Sequence, residues 1–317
     1  MKFRTIAVLF AALLLLCSCG GGYARHERAF FAMDTLFTVT LPKNLNANKT
    51  AKNIEAKITE LDADLSLYNP DGSIITNPYR PKAAECISIA QNVSMATGGY
   101  YDPLLGDFTT LWAASAKSDT MPSDEIFSEV CYRNAVGGRS YDLGGIGKGY
   151  AIDRAHDILR EAKISNALVS ATSSLIAIGT NPSGKPWRVA LRDCYGEVCG
   201  YLELSDKALS VSGNYERYYQ IGGVRYSHII DPFTGRPCDT DVLSAAVIMD
   251  ASLPDACALT DALSTALMVM GKDRALEFHA GGVYQFEMIL FIKSEDYENT
   301  GKYDIIDTGT LLKPLTN

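Results

Sequence analysis

The sequence predicts an α+β fold of mixed, largely antiparallel sheets packed by helices. Two observations carry this. Apolar strand-like segments follow one another across tight turns, at Tyr195-Gly196-Glu197 and Gly222-Gly223, as antiparallel neighbours do. Strands and helices also fail to alternate regularly, which excludes a doubly wound parallel sheet. With 47% of the 317 residues apolar, the chain can bury one large core or two small ones, and no low-complexity linker or internal repeat divides it.

Taken in order, Ala29 to Leu41 alternates as a strand. Asn44 to Leu65 is polar and helical, and it runs into an Asn69-Pro70-Asp71-Gly72 turn with Tyr68 at its lip, a ring for packing or for stacking. Ser88 to Thr97 is a helix stopped by Gly98-Gly99, and Asp102-Pro103 then fixes an extended corner before apolar Leu104, Leu105, Phe108 and Leu111. Asp142 and Leu143 end a strand, and Tyr150 to Ala162 is an amphipathic helix. Asn166 to Ile178 reads as a buried strand or hairpin, and Trp187 to Asp193 as a strand. Lys207 to Ser212 leads into the Gly222-Gly223 hairpin and on to His228. Val242 to Met249 is a strand, and Pro254 to Met270 a helix.

Residues 1–18 stand outside this fold. Lys2 and Arg4 precede an apolar run, Ile6 to Leu16, too short for a permanent membrane span. Leu16-Cys17-Ser18-Cys19 then matches a bacterial lipobox, with Cys19 as the acylated residue after a small Ser18. The sequence therefore divides into a signal peptide at 1–18, a lipidated cysteine and tether at 19–28, and one domain at 29–317, exported and lipid-anchored to a bacterial membrane, facing the periplasm or cell exterior. In that compartment Cys194 and Cys199, flanking a turn, can form a cross-hairpin disulfide, while the other cysteines pack as small apolar residues.

The net charge of −8 argues against nucleic acid as a partner. It also opposes any phosphorylated ligand, although the segment YDLGGIGKGYAID, residues 141–153, leads glycines into a helix N-terminus where a phosphate can sit. A Walker loop is excluded because Gly149 and Tyr150 follow Lys148, and a Rossmann fingerprint because the glycine spacing is wrong. A divalent metal would reconcile the acidity with a phosphate. Asp261 and Thr265, four apart on a helix, present oxygens on one side, a hard-metal site if a carbonyl of the glycine loop approaches and a solvated face otherwise. His228 places a titratable ring at the mouth of the rigid Asp231-Pro232 turn.

Together these motifs resemble the ApbE family of flavin transferases. The resemblance rests on Met33-Asp34-Thr35, the Leu65-to-Asn77 turn, YYDPLLGDFTTLW, DLGGIGKGYAID, VSGNYERYY, HIIDPFTGRP and TDALSTALMVMG, in the family's order across nearly the whole mature chain. It departs from the family at Met33-Asp34-Thr35, where Met-Gly-Thr is usual, and at Thr172-Ser173-Ser174, where Gly-Gly-Asn is usual. The resemblance implies a T-fold-related architecture with FAD held between the glycine loop and the Asp261 helix. It implies an enzyme that cleaves FAD with Mg²⁺, attaches FMN by a phosphoester bond to a Thr or Ser of a target protein and releases AMP. The implied targets are flavin-carrying subunits of membrane redox complexes of the Nqr and Rnf type. By motif position the metal would be held by Asp261, Thr265 and the carbonyl of Gly145. FAD would be contacted by Met33, Tyr68, Tyr101, Asp102, Pro103, Asp142, Lys148 and Ile230, with His228 as the base, Asp231 or a metal-bound group being alternatives. Two other outcomes stay open on the same residues, a metal-dependent FAD pyrophosphatase and a non-catalytic FAD-binding lipoprotein.

Overall fold

The computed structural model describes residues 24–67, 69, 74, 81–214 and 217–315. The lipobox cysteine, Cys19, and Tyr68 lie outside these residues.

Eight strands form one sheet in the order β1 (Arg25–Ala32), β2 (Thr35–Pro42), β3 (Ala167–Ala171), β4 (Ser174–Ile178), β7 (Lys207–Gly213), β10 (Val242–Asp250), β11 (Glu287–Lys293) and β12 (Tyr303–Asp307). Every neighbouring pair is antiparallel. The expectation of an α+β, largely antiparallel architecture is met, with two further hairpins, β5 (Trp187–Arg192) with β6 (Val198–Leu204) and β8 (Tyr218–Ile221) with β9 (Val224–Ser227).

The sheet is buried on both faces, and the period-2 alternation of a strand explains how. Along β10, Ala245, Val247 and Met249 face the larger core, while Ala246 and Ile248 face a second one. The larger core lies under helices α1 (Ala47–Leu65), α2 (Pro81–Ala96), α5 (Gly147–Glu161) and α6 (Ala256–Gly281). The second is closed by the β5–β6 hairpin, whose Trp187, Val189, Leu191, Leu202 and Leu204 point inward. A third, small cluster joins α3 (Gly106–Ser118) and α4 (Asp124–Ala135) to the β8–β9 hairpin, where the Trp112 indole N–H donates to the Gly235 carbonyl at 2.9 Å. A short helix α7 (Tyr297–Thr300) precedes β12. Among the described residues no helix is long and apolar enough to cross a membrane.

Several local expectations change. Ala29 to Leu41 is not one strand but parts of two, folded at Met33 and Asp34, whose φ values of 49° and 56° make a left-handed turn. Asp142 and Leu143 are not strand. The helix after the glycine loop begins at Gly147, and none of Gly144, Gly145, Gly147 and Gly149 has a positive φ. These glycines serve close approach instead: a Cβ on Gly149 would lie 2.0 Å from the Cys257 carbonyl oxygen, so only glycine lets α5 meet α6 here. The C-terminal helix does run to Met270, where Gly271, at φ 73°, breaks it before a second segment continues to Gly281. Cys194 and Cys199 are free thiols, and Cys86, Cys238 and Cys257 are buried as expected.

Candidate active site

Four pieces of chain meet at one cavity of about 720 Å³, within the range of roughly 300–1,000 Å³ usual for cofactor sites. They are the glycine loop, the first part of α6, the corner from Tyr100 to Thr109, and the turns at one end of the sheet with the residues from Arg217 to Pro232 beside them.

The floor is built by α5 against α6. Asp153, buried on α5, accepts from the backbone N–H of Cys257 at 3.0 Å and of Ala258 at 2.8 Å, so it caps the start of α6 from another helix. Burial pushes its carboxyl up to about 7, although the two N–H donors pull the other way. With the register fixed, Gly149 N–H donates to Asp261 Oδ2 at 3.0 Å. Asp261 is 2% exposed, and its Oδ1 accepts from Ser174 Oγ at 3.1 Å and faces Lys148 Nζ at 3.3 Å. One turn on, the Thr265 hydroxyl lies 3.3 Å from where a Cβ on Gly145 would be, and it also meets Ser212 Oγ at 3.3 Å. The expected trio of Asp261, Thr265 and Gly145 is therefore gathered at one place.

This donor set suits a hard divalent cation: a buried carboxylate, hydroxyls and a glycine backbone on which a Cβ would lie 3.2 Å from the Tyr101 ring and 3.3 Å from Thr265 Oγ1. Among the described residues no group of three or more His, Cys, Asp or Glu could hold a metal, so the remaining ligands would have to come from neutral oxygens and from a phosphorylated ligand. The Tyr101 hydroxyl, buried in the same wall, has no partner among the described residues and is raised well above its ordinary pKa by burial, a donor left for a bound oxygen.

The other expected residues divide. Tyr101, Asp102, Asp142, Lys148, His228 and Ile230 line the cavity. Asp142 is held by three bonds: its N–H donates to the Pro103 carbonyl at 2.7 Å, Oδ2 accepts from Thr109 Oγ1 at 2.7 Å and Oδ1 from Gly144 N–H at 2.8 Å. Asp102 is paired with Arg139 and caps its own corner through Leu104 N–H at 2.9 Å. Pro103 does not line the cavity but acts through its carbonyl on Asp142. Met33 is not on the lining either; the turn that sends Asp34 and Thr35 to the cavity packs Met33 against the large core. Asp231 accepts from Phe233 N–H at 2.9 Å and Thr234 Oγ1 at 3.1 Å within its own turn and does not line the cavity, whereas His228 does.

Sequence reasoning missed Ser174, Ser212 and Arg217. Each carried a signal of place alone: Ser212 and Arg217 stand in VSGNYERYY, and Ser174 in the departure Thr172-Ser173-Ser174. Its carbonyl lies 2.9 Å from His228 Nδ1 and its guanidinium donates to the Asp34 carbonyl at 3.3 Å. A carbonyl can only accept, so Nδ1 carries the proton and Nε2 is the free lone pair. Burial, then the charges of Arg217 and Lys148, lowers His228 to about 4.

The two segments that depart from the family pattern meet through Thr35, which keeps the usual residue, and Thr172. Thr172, at φ 58°, places Oγ1 2.8 Å from Thr35 Oγ1, tying the β3–β4 turn to the β1–β2 turn beside the cavity.

Fold and site together define a class of protein: an antiparallel α+β domain whose largest helix carries an oxygen-donor cluster into a polar ligand cavity. A model of the ApbE family matches residues 33–290, and the chain belongs to that family. It is 27% identical to an FAD:protein FMN transferase of Vibrio cholerae serotype O1, over 92% of this chain and 95% of that one. It is 29% identical to the FAD:protein FMN transferase of Escherichia coli K12, over 77% and 78%. The solved ApbE protein of Thermotoga maritima superposes with a TM-score of 0.76 at 27% identity, covering 90% of this chain and 98% of that one. The flavin transferase ApbE of Vibrio cholerae has the same fold, with a TM-score of 0.76 at 23% identity and coverage of 91% and 99%.

Proposed function

We propose that this chain is an FAD:protein FMN transferase that uses Mg²⁺, and the observation that carries the reading is the convergence of Asp261, Thr265, Gly145, Lys148 and His228 on one cavity. Phosphoryl transfer asks a protein for charge neutralisation and in-line positioning more than for covalent chemistry. Asp261, Thr265 and the Gly145 carbonyl would hold Mg²⁺, which when bound would supply Lewis-acid neutralisation of the pyrophosphate. Lys148 adds a second positive charge, and the Tyr101 hydroxyl a donor. His228 Nε2 accepts the proton of an acceptor Thr or Ser hydroxyl as that oxygen bonds to the FMN phosphorus. The bond from that phosphorus to the bridging oxygen breaks, and AMP leaves with that oxygen.

The acceptors proposed are flavin-carrying subunits of membrane redox complexes of the Nqr and Rnf type, reached from a lipid anchor on Cys19 at the outer side of a bacterial membrane. The lipobox supports the anchor, and residues 29–317 are proposed to act as one domain.

The test is mass spectrometry of a Ser/Thr-containing acceptor peptide after incubation with the protein, FAD and Mg²⁺. The expected result is a mass gain of FMN less one water, lost in Asp261→Ala and on chelation of the metal. FMN and AMP in solution with unmodified peptide would make the protein a pyrophosphatase; intact FAD would leave only a binding protein.

A further inference from the structure

We propose that Lys148 is an exchangeable counter-ion for Asp261: its ammonium neutralises the buried carboxylate while the metal is away, and it moves to the ligand's phosphate when the metal arrives. The inference rests on the metal-site reading above and goes beyond it by giving one residue two partners in sequence.

Asp261 is almost fully enclosed, and a buried carboxylate without a partner is costly. Among the described residues its charge is met by one cation, Lys148 Nζ, 3.3 Å from Oδ1, while Gly149 N–H and Ser174 Oγ complete its hydrogen bonds. An ammonium and a divalent cation at neighbouring lone pairs of one carboxylate repel each other strongly in a site this enclosed. One of them has to leave. Lys148 is built to be that one. It stands in the first turn of α5 on the cavity wall, its side chain is 17% exposed against 3% for Asp261, and among the described residues its ammonium has besides Asp261 one long hydrogen bond, 3.4 Å, to the Gly144 carbonyl. Lysine is a point charge on a flexible stem, so it can swing without losing a fixed fork of bonds. The released charge then faces the cavity that takes the pyrophosphate, which couples metal and ligand binding through a single side chain.

The test titrates Mg²⁺ alone into the full chain by calorimetry. Lys148→Met is expected to bind Mg²⁺ roughly tenfold or more tightly than the wild type, in the range of ordinary coupling between sites. It is also expected to melt at a lower temperature than the wild type without metal and to regain that loss with Mg²⁺. Lys148→Met combined with Asp261→Ala should show no such binding. Equal or weaker Mg²⁺ binding by Lys148→Met, with binding still lost in Asp261→Ala, overturns the exchange and leaves the metal site standing. No Mg²⁺ binding by any of these proteins removes the metal site and the exchange with it. A measurement on the unaltered protein keeps the idea testable if the variant does not fold. Acetylation of Lys148 by acetic anhydride, read by peptide mass spectrometry, should rise when Mg²⁺ is added and not when K⁺ is; an unchanged rate overturns the proposal.

Discussion

His228 donates its Nδ1 proton to the Arg217 carbonyl and so keeps Nε2 free for a substrate proton. With its pKa lowered to about 4, the ring is neutral, and competent as a base, at every pH above that value. The acid limb of the transfer rate is therefore expected near pH 4 to 5 and not at the ordinary histidine value. A pH profile falling through about 6.5 would remove His228 from that role, as would full activity in His228→Asn. The linkage has the same sign: neutral His228 favours the fold above the unfolded pKa, and that contribution is lost as pH falls towards 4. Asp34 makes a second residue-scale prediction. It sits at φ 56° on the cavity lip, where glycine would be unstrained and uncharged. Asp34→Gly is expected to raise stability by about 1 kcal/mol. It should also lower KM for FAD, a gain that shrinks as salt screens the lost charge. An unchanged KM at low ionic strength would show that the carboxylate does not sense the ligand. The sequence exposed both residues, His228 by its isolation beside a rigid turn and Asp34 by its departure from the family. It gave no hint that Arg217 connects them, because a backbone carbonyl carries no residue signature.

At the scale of elements, the site depends on how α5 meets α6. Gly149 permits the contact, Asp153 fixes its register, and Arg154 adds a pair with Asp255 at 3.0 Å, just ahead of α6. Asp153 gains a proton more readily folded than unfolded, so its protonation contributes stability that is fully present below about pH 4 and is lost as pH rises through about 7. Asp153→Asn abolishes that dependence but offers a single acceptor to two buried N–H groups, a cost of about 1–3 kcal/mol. The melting-temperature gap between wild type and Asp153→Asn is accordingly expected to narrow as pH rises from about 5 to about 8. A gap that stays constant over that range would show that the carboxylate is ionised in the fold throughout. The YAID segment was legible as helix, whereas its service as a cap for another helix was not, since a cap is ordinarily sought within a few residues of the turn it closes. Helix α4 is a different case. Ser123, whose Oγ accepts from Ile126 N–H at 3.4 Å, with Asp124 and Glu125 behind it, is a plain helix start that was passed over.

At the scale of the whole molecule, the cavity lies where the β1–β2 and β3–β4 turns at one end of the sheet meet the helices, while the second core on the other face is closed by a hairpin. The anchor proposed at Cys19 concerns where the molecule stands and not how it works. Cys19→Ser is expected to move the protein from the membrane to the soluble fraction with its FAD chemistry intact; retention on the membrane would point to another means of attachment. Strand β11 shows why part of the architecture escaped the sequence. Met288, Leu290 and Ile292 serve one core while Ile289 and Phe291 serve the other, so the strand reads as a continuous apolar run with no period to identify it. The sequence by itself determined what short range can encode: the family motifs, the Gly222-Gly223 turn, the end of the long helix at Met270 and the shared side of Asp261 and Thr265. Only the tertiary structure decided which groups face Asp261. Its partners Lys148, Gly149 and Ser174 lie far away along the chain, and nothing shorter than the packing of α5, α6 and the sheet brings them together.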